Sequence, residues 1–281
     1  MPHEKVLKNN YLYKIYNENL QESFSINYDC KINTPNIDEE LYKRVDVCLE
    51  QMGDFNLIFG DSHAIGLANI IHHKNSGYFV GLGKGGCRLN QREGFKQCQH
   101  YIEVLGFIEK YSQNISNIIF TVSGSEDYLI DWQGNTDSIA VFDEGKKTTI
   151  HKENIAKTIQ FLQIIKPEIN IIWVGPYTEA QIDIGLTTIQ NLPLEINKKS
   201  ISLNRILDSQ IKVLLKENMQ IKYFSFVDDL EEYNHVLFED ECILFRDRDH
   251  FSRCGEIKIA RKTSLFSYLE SINDSNSSTT Q

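Results

Sequence analysis

Residues 55–64 read FNLIFGDSHA, the stretch with the clearest signals of local structure in this chain. An apolar run with strand character ends at Gly60, and Asp61 and Ser62 lead directly into a segment with helical periodicity. In open α/β proteins such a turn lies at the carboxyl edge of the sheet, where ligands bind, and a helix N-terminus favours negative charge there. We therefore expect Ser62 at that edge, beside an amide that can stabilise an oxyanion. The alternative is that Asp61 or Ser62 only caps the helix.

Short apolar runs alternate with longer helical stretches after this turn, which is typical of a parallel sheet covered on both faces. The predicted strands span residues 55–59, 77–82, 117–122, 170–174 and 221–226. The predicted helices span residues 64–73, 95–113, 152–165 and 202–218, with a C-terminal helix within 255–271. We expect the α/β class: a three-layer α/β/α sandwich with a mainly parallel, flavodoxin-like five-stranded sheet.

The flanking segments differ in composition from this α/β domain, which we assign to residues 54–272. Residues 1–53 are rich in Asn, Tyr and charge and contain one amphipathic segment, 38–52, so we interpret them as an N-terminal extension. Residues 273–281 are polar and low in complexity, and we expect them to form a disordered tail.

The charge balance disfavours one class of partner. The chain has 29 Lys and Arg against 39 Asp and Glu, a net charge of −10, which disfavours binding to nucleic acid.

No apolar run approaches the roughly 18 residues that could span a bilayer. Lys5 and Lys8 are followed by polar sequence where a signal peptide would have its apolar stretch, so we expect a cytoplasmic protein.

Six cysteines are present, with no CxxC pair and no zinc-type spacing. In a reducing compartment they are expected to be free thiols. The closeness in sequence of Cys87 to Cys98 and of Cys242 to Cys254 leaves disulfides as the alternative.

A second polar group follows the last apolar run, at residues 247–252, DRDHFS. Asp247 and His250 are three positions apart, so in a loop the carboxylate can accept the proton of one imidazole nitrogen while the other nitrogen faces Ser62. His250 would then act as general base and Asp247 would fix its tautomer. The alternative is a solvated acidic loop with an incidental histidine.

Together, Gly60-Asp61-Ser62 and Asp247 with His250 resemble the first and last sequence blocks of the SGNH/GDSL hydrolase family. The resemblance implies a catalytic triad in which Ser62 is the nucleophile. The string GDSHA at residues 60–64 is also similar to SGNH domains associated with bacterial polysaccharide O-acetylation.

The resemblance also implies an oxyanion hole. Residues 81–87, GLGKGGC, stand where the family supplies a glycine amide, so Gly85 or Gly86 is the expected donor beside the amide of Ser62. The family's third block, Gly-x-Asn-Asp, departs here: residues 123–127 read SGSED and place Glu126 at the Asn position. An ionised carboxylate cannot donate a hydrogen bond, so Ser125 or a backbone amide substitutes, or the hole has two donors.

Three residues after this block are candidates for binding a sugar: Tyr128, Asp131 and Trp132. Ordinary core or loop packing is expected ahead of sugar binding for these residues. We expect no metal and no bound cofactor, with acetyl-CoA as a candidate acyl donor. The sequence does not set the oligomeric state.

The function expected from these patterns is serine-dependent chemistry on O-acyl groups, chiefly O-acetyl groups, of a carbohydrate. The protein would act as an O-acetyltransferase or as an esterase, and the expected compartment favours transfer slightly. The alternative, motivated by Glu126, is a catalytically weak glycan-binding or scaffold protein that keeps the fold.

Overall fold

The computed structural model describes residues 30–74, 77–89, 98–131, 147–165, 169–181, 196–218 and 220–277. Its centre is a sheet of six parallel strands in the order β1-β3-β2-β4-β7-β8. These strands are β1 (Lys31–Asn33), β2 (Phe55–Gly60), β3 (Phe79–Gly83), β4 (Ile115–Thr121), β7 (Asn170–Val174) and β8 (Ile221–Phe224). Two antiparallel pairs lie outside the sheet: β5 (Leu129–Asp131) with β6 (Thr148–Ile150), and β9 (Phe238–Glu239) with β10 (Cys242–Ile243).

Helices cover both faces of the sheet. In chain order they are α1 (Glu39–Met52), α2 (Ser62–Lys74), α3 (Gln99–Lys110), α4 (Gly124–Tyr128), α5 (Lys152–Gln163), α6 (Lys198–Leu215), α7 (Phe226–Asp229), α8 (Arg253–Lys262) and α9 (Leu265–Ser277). Successive side chains of β2 enter two separate apolar cores, because side chains alternate between the faces of a strand. Leu57 and Phe59 pack in one core with α1, α3, α5 and α6, and Ile58 packs in the other with α2, α8 and α9. The three-layer α/β class is confirmed.

The sheet has one strand more than predicted. The five predicted strands keep the flavodoxin-like order β3-β2-β4-β7-β8, and β1 adds a sixth at the edge beside β3. β1 has only three residues, KIN, so it offers no alternating pattern from which a strand could be predicted. Its Asn33 is buried and donates to the carbonyl oxygen of Ile65 and to Oδ1 of Asn69 on α2. The segment assigned to an extension therefore contributes to the sheet from residue 31 onward.

The C-terminal region contains two helices where one was predicted. They are separated at Thr263 and Ser264, whose hydroxyl groups both hydrogen-bond to the carboxylate of Asp229. The second helix, α9, continues to Ser277 and so enters the segment predicted as a tail, while residues 278–281 lie outside the described residues. Among the helices that the structure describes, none combines the length and apolar character that crossing a bilayer requires.

The prediction of free thiols is wrong in this structure. All six cysteines lie within the described residues and pair as Cys30–Cys48, Cys87–Cys98 and Cys242–Cys254, with Cα–Cα distances of 5.5, 5.6 and 5.9 Å. The first pair ties the start of β1 to α1. The other two brace the loops after β3 and before α8. The fold brings each pair within bridging distance, which the compartment argument could not reveal.

Candidate active site

Ser62 begins α2 directly after β2, at the carboxyl edge of the sheet. The capping role belongs to Asp61, whose Oδ1 accepts the amide hydrogen of His63 at 2.8 Å and whose Oδ2 accepts that of Ser123 at 2.8 Å. Asp61 is buried, so its two hydrogen bonds fix the turn and tie it to the loop after β4. The hydroxyl of Ser62 is left to other partners.

Gly60 permits this sharp turn. It has a φ of 151°, and a Cβ built on it would lie 1.8 Å from the carbonyl oxygen of Thr121 on β4. Any side chain would separate the two strands at the point from which Ser62 projects. The glycine of the quoted stretch is therefore required by the close approach of β4.

The residues that the sequence grouped as a triad lie within hydrogen-bonding distance of one another. Nε2 of His250 is 2.7 Å from Oγ of Ser62, and Nδ1 of His250 is 2.9 Å from each carboxylate oxygen of Asp247. Oδ1 of Asp247 also accepts the amide hydrogens of Asp249 and His250, at 3.1 and 2.8 Å. The carboxylate is thus held by its own loop while it holds the imidazole.

The loop that carries His250 is closed on itself. Phe245 and Phe251 form an antiparallel bridge, and the amide of Ser252 donates to the carbonyl oxygen of Leu244 at 2.8 Å. The disulfide Cys242–Cys254 joins the two ends of the loop. These contacts fix the direction of the imidazole before any substrate binds, which is the condition for efficient proton transfer.

A second carboxylate, that of Asp249, also reaches His250. Its Oδ1 is 3.1 Å from Nδ1 of His250, and its Oδ2 is 3.3 Å from Nε2 of His63. The backbone oxygen of Asp249 accepts the hydroxyl hydrogen of Tyr177 at 2.6 Å. Sequence reasoning missed Asp249 because a residue adjacent to His250 faces the same ring only in this particular loop conformation.

These charges change the titration of the site. Burial disfavours the charged form of His250, but hydrogen bonds and charges from Asp247 and Asp249 outweigh it and raise the pKa to about 10. Burial likewise opposes charge on His63, and the Asp249 and Asp61 carboxylates nevertheless raise its pKa. The pKa of Asp249 is lowered, because hydrogen bonds from His250 and His63 outweigh its burial.

Of the two glycines expected in the oxyanion hole, the structure places Gly85 beside the serine. A Cβ built on Gly85 would lie 3.8 Å from Cβ of Ser62, whereas one built on Gly86 has no heavy atom within 4 Å. The amides of Ser62 and Gly85 are therefore the candidate donors on this side of the site.

The third block is occupied by other contacts. The amide of Ser125 donates to Oε1 of Glu179 at 3.1 Å, and Oε2 of Glu126 forms an ion pair with Nη2 of Arg88 at 2.9 Å. The amide hydrogen of Ser125 is therefore already used. The Glu126 carboxylate accepts from Arg88, which follows the glycines at positions 85 and 86. Neither of these two groups is therefore a free third donor.

Glu179, in the loop after β7, was not found from the sequence. It is fully buried, and it also accepts from the hydroxyl of Ser123 at 3.1 Å and from the amide of Gln181 at 2.6 Å. Burial raises its pKa, although the nearby His63 and the Ser125 hydrogen bonds oppose this. Glu179 itself belongs to no motif, and its partners at 123–125 lie far from it in the chain.

The proposed sugar-binding residues are not brought together at the surface. Tyr128 is 1% exposed, its ring lies against Trp173, and its hydroxyl is 3.2 Å from Oγ1 of Thr158. The prediction for Tyr128 is therefore wrong, and packing is its role. Trp132 and the side chain of Asp131 lie outside the described residues.

One group of described side chains has its ligand atoms close enough to hold a metal ion. These are His63, Asp249 and His250, with ligand atoms within 4.8 Å of one another. A metal there would compete with the carboxylates for Nδ1 of His250, because Nε2 of that ring faces Ser62. The hydrogen-bonded arrangement accounts for these three side chains without an ion.

Known proteins resemble this chain in fold. No protein-family model matches the sequence, and no curated protein has a significant match to it. A carbohydrate acetylesterase from Sinorhizobium meliloti matches at 9% identity, with 78% of this chain and 99% of that chain covered and a TM-score of 0.47. An aryl esterase from M. smegmatis matches at 8% identity, with the same coverage of 78% and 99% and a TM-score of 0.48. An acetyl xylan esterase matches at 14% identity, with 74% and 96% covered and a TM-score of 0.40. Similarity at this level concerns the fold, and it says nothing about the reaction of this chain.

Proposed function

We propose that the protein is a serine-dependent acyl-ester hydrolase with Ser62 as its nucleophile. The observation that carries the proposal is the arrangement of His250, whose Nε2 is 2.7 Å from Oγ of Ser62 while Nδ1 is 2.9 Å from the carboxylate of Asp247. A serine beside an oriented imidazole is the arrangement that nucleophilic acyl transfer requires.

The reaction follows from this geometry. The neutral imidazole of His250 takes the proton of Ser62 as Oγ attacks the ester carbonyl, and Asp247 stabilises the imidazolium that forms. The amides of Ser62 and Gly85 receive the oxyanion at the N-terminus of α2. The imidazolium then protonates the leaving alcohol, and a water activated by His250 releases the acid and restores Ser62.

We propose an acetylated carbohydrate as the substrate, following the sequence resemblance of residues 60–64 to SGNH domains linked to polysaccharide O-acetylation. Water is proposed as the acceptor ahead of a sugar hydroxyl. The preference for transfer depended on a reducing compartment that supplies acetyl-CoA, and three disulfides weigh against such a compartment.

The test is hydrolysis of p-nitrophenyl acetate and of acetylated saccharides. We expect Ser62→Ala and His250→Ala each to lower kcat/KM by roughly 10³-fold or more, and the double variant to be no worse, because the residues act as one unit. Ser209→Ala, at an exposed position of α6, is the matched control and should keep full activity.

Three results of these assays would contradict the proposed hydrolysis. Turnover that persists in Ser62→Ala, or additive losses in the double variant, would contradict the shared proton-transfer unit. Release of CoA from acetyl-CoA with a mass gain of one acetyl on a saccharide would replace hydrolysis by transfer. Absence of any Ser62-dependent reaction would favour the glycan-binding alternative.

A further inference from the structure

Asp249 joins two imidazoles that lie on different elements. Its Oδ1 faces Nδ1 of His250 at 3.1 Å, and its Oδ2 faces Nε2 of His63 at 3.3 Å. The rings of His63 and His250 are 5.3 Å apart between centroids. One carboxylate of the His250 loop is therefore hydrogen-bonded to the first turn of α2, one residue beyond the proposed nucleophile.

The two carboxylates at His250 are not equivalent. Nδ1 carries one hydrogen, so Asp247 and Asp249 share it. Asp247 also accepts two amide hydrogens, and its side chain is 46% exposed, whereas that of Asp249 is 18% exposed. Water screens the charge of Asp249 less, so its effect on His250 depends more on its protein partners.

Among the described residues, His63 is the second side chain that contacts the Asp249 carboxylate, besides His250. The ring of His63 is buried and stacks on Tyr177 with centroids 4.8 Å apart, and Tyr177 also donates its hydroxyl hydrogen to the backbone oxygen of Asp249. Because Nε2 of His63 faces a carboxylate oxygen, Nε2 is the nitrogen that carries its hydrogen. The hydrogen bond from His63 stabilises the negative charge of Asp249 and so weakens the electrostatic effect of that charge on His250.

We propose that Asp249 and His63 form a second arm on the general base: Asp249 shares the Nδ1 hydrogen of His250 with Asp247, and His63 limits the charge that Asp249 applies to the ring. Both are positioning residues, since they act through His250. The inference rests on the proposed function for the catalytic role of His250.

Other ionisable groups lie near His63, His250 or their carboxylate partners, on the surrounding elements. Asp61 lies at the start of α2, Arg246 contacts Asp247 at 3.4 Å, Glu256 lies on α8, and Glu179 lies in the loop after β7. These groups are unchanged in variants of Asp249 and His63. Differences between arm variants therefore isolate Asp249 and His63.

The experiment is an NMR titration of the His250 imidazole in the full chain labelled on histidine, compared with the pH profile of kcat/KM. Asp249→Asn should lower the midpoint of His250 by about one pH unit or more, because an opposite charge at this distance is lost. His63→Phe keeps a ring on Tyr177 but removes the donor, so it should raise the midpoint. The double variant should match Asp249→Asn, because His63 acts through Asp249.

Asp240→Asn and His235→Phe are the surface controls and should leave the midpoint unchanged. Should Asp249→Asn fail to fold, Asp249→Ser must lower the midpoint instead. The proposal is overturned by an unchanged midpoint in the Asp249 variants, or by shifts of the same sign on changing Asp249 and His63. Shifts of opposite sign in the His250 midpoint, without Ser62-dependent ester hydrolysis, would support the roles of Asp249 and His63 and would contradict the proposed function.

Discussion

The two carboxylates at His250 decide how the proposed reaction responds to pH. A pKa raised to about 10 means that the ring is charged at neutral pH, when its Nε2 hydrogen points to Ser62 and the ring cannot accept a proton. Only the neutral ring is a base, and its fraction grows tenfold per pH unit below the pKa.

We therefore expect kcat/KM for an acetyl ester to rise through the neutral range and to level off near pH 10. The measurement is a pH profile between about pH 6 and about pH 11, corrected for spontaneous hydrolysis. A plateau already reached near neutral pH would contradict the raised pKa. Circular dichroism across the same range separates loss of structure from loss of the base.

Burial of Glu256 makes the stability of the fold depend on pH. Glu256 is buried on α8 and accepts from the amide of Asn69 on α2 at 3.1 Å, and burial raises its pKa to about 8. A raised folded-state pKa favours the protonated carboxyl, so this contribution to stability is present at acid pH and is lost as pH rises through about 8.

Glu256→Gln keeps a neutral side chain of the same shape at every pH. We expect it to match the wild type in the free energy of unfolding near about pH 4 and to exceed it by roughly 1 kcal/mol or more near about pH 9. Urea unfolding at the two pH values measures this. A difference that does not change with pH would mean that Glu256 has the same pKa in the folded and unfolded states.

Single residues of the candidate site could be predicted from the sequence where they belong to short motifs. Ser62, Asp247 and His250 belong to two short strings, and the structure brings them together. Asp249 and Glu179 could not be found, because their roles depend on contacts with residues distant in the chain, at 63 and at 123–125. Tyr128 was misplaced, because an aromatic residue after a loop motif carries no signal of burial.

At the scale of elements, disulfides brace the loops of the candidate site. Cys242–Cys254 closes the loop of His250 with a sequence separation of 12, while Cys30–Cys48, with a separation of 18, ties β1 to α1 at the edge of the sheet. Loops of this size stabilise a fold by roughly 2–4 kcal/mol when cross-linked. The two pairs therefore have similar effects on stability but different positions relative to the site.

We expect Cys242→Ala with Cys254→Ala to lower both Tm and kcat/KM, the latter by at least about tenfold, because small displacements of a catalytic base are costly. Cys30→Ala with Cys48→Ala is the matched control: it should lower Tm and leave kcat/KM unchanged below the transition. Thermal unfolding and ester hydrolysis at one temperature compare the pairs. Equal losses of kcat/KM in both would show that the disulfide before α8 has no special role in orienting His250.

Elements were predictable where their pattern was long. The strands β2, β4 and β7 are apolar runs, and their parallel orientation follows from alternation with amphipathic helices. β1 escaped prediction because one apolar residue, Ile32, makes no pattern. The division between α8 and α9 at residues 263–264 depends on hydrogen bonds to Asp229, which no local pattern indicates.

For the whole molecule, the three disulfides bear on the compartment in which the chain folds. The expectation of a cytoplasmic protein depended on residues 1–10, which lie outside the described residues. Thiols stay reduced in the cytoplasm, whereas the six cysteines here are paired across the sheet edge, the glycine turn and the His250 loop. We therefore propose an oxidising compartment.

The pairing of the cysteines in the cell can be tested directly. Protein isolated from its own cells with a thiol-blocking reagent present at lysis should show no free thiol in denaturant, and six after reduction, because all six cysteines are paired. Mass spectrometry of the blocked protein counts the modified cysteines and identifies the pairs. Six blocked thiols before reduction would return the chain to a reducing compartment, where acetyl-CoA is available as an acyl donor, and would restore acyl transfer as the preferred reaction. Two or four blocked thiols would show which of the three disulfides form in the cell.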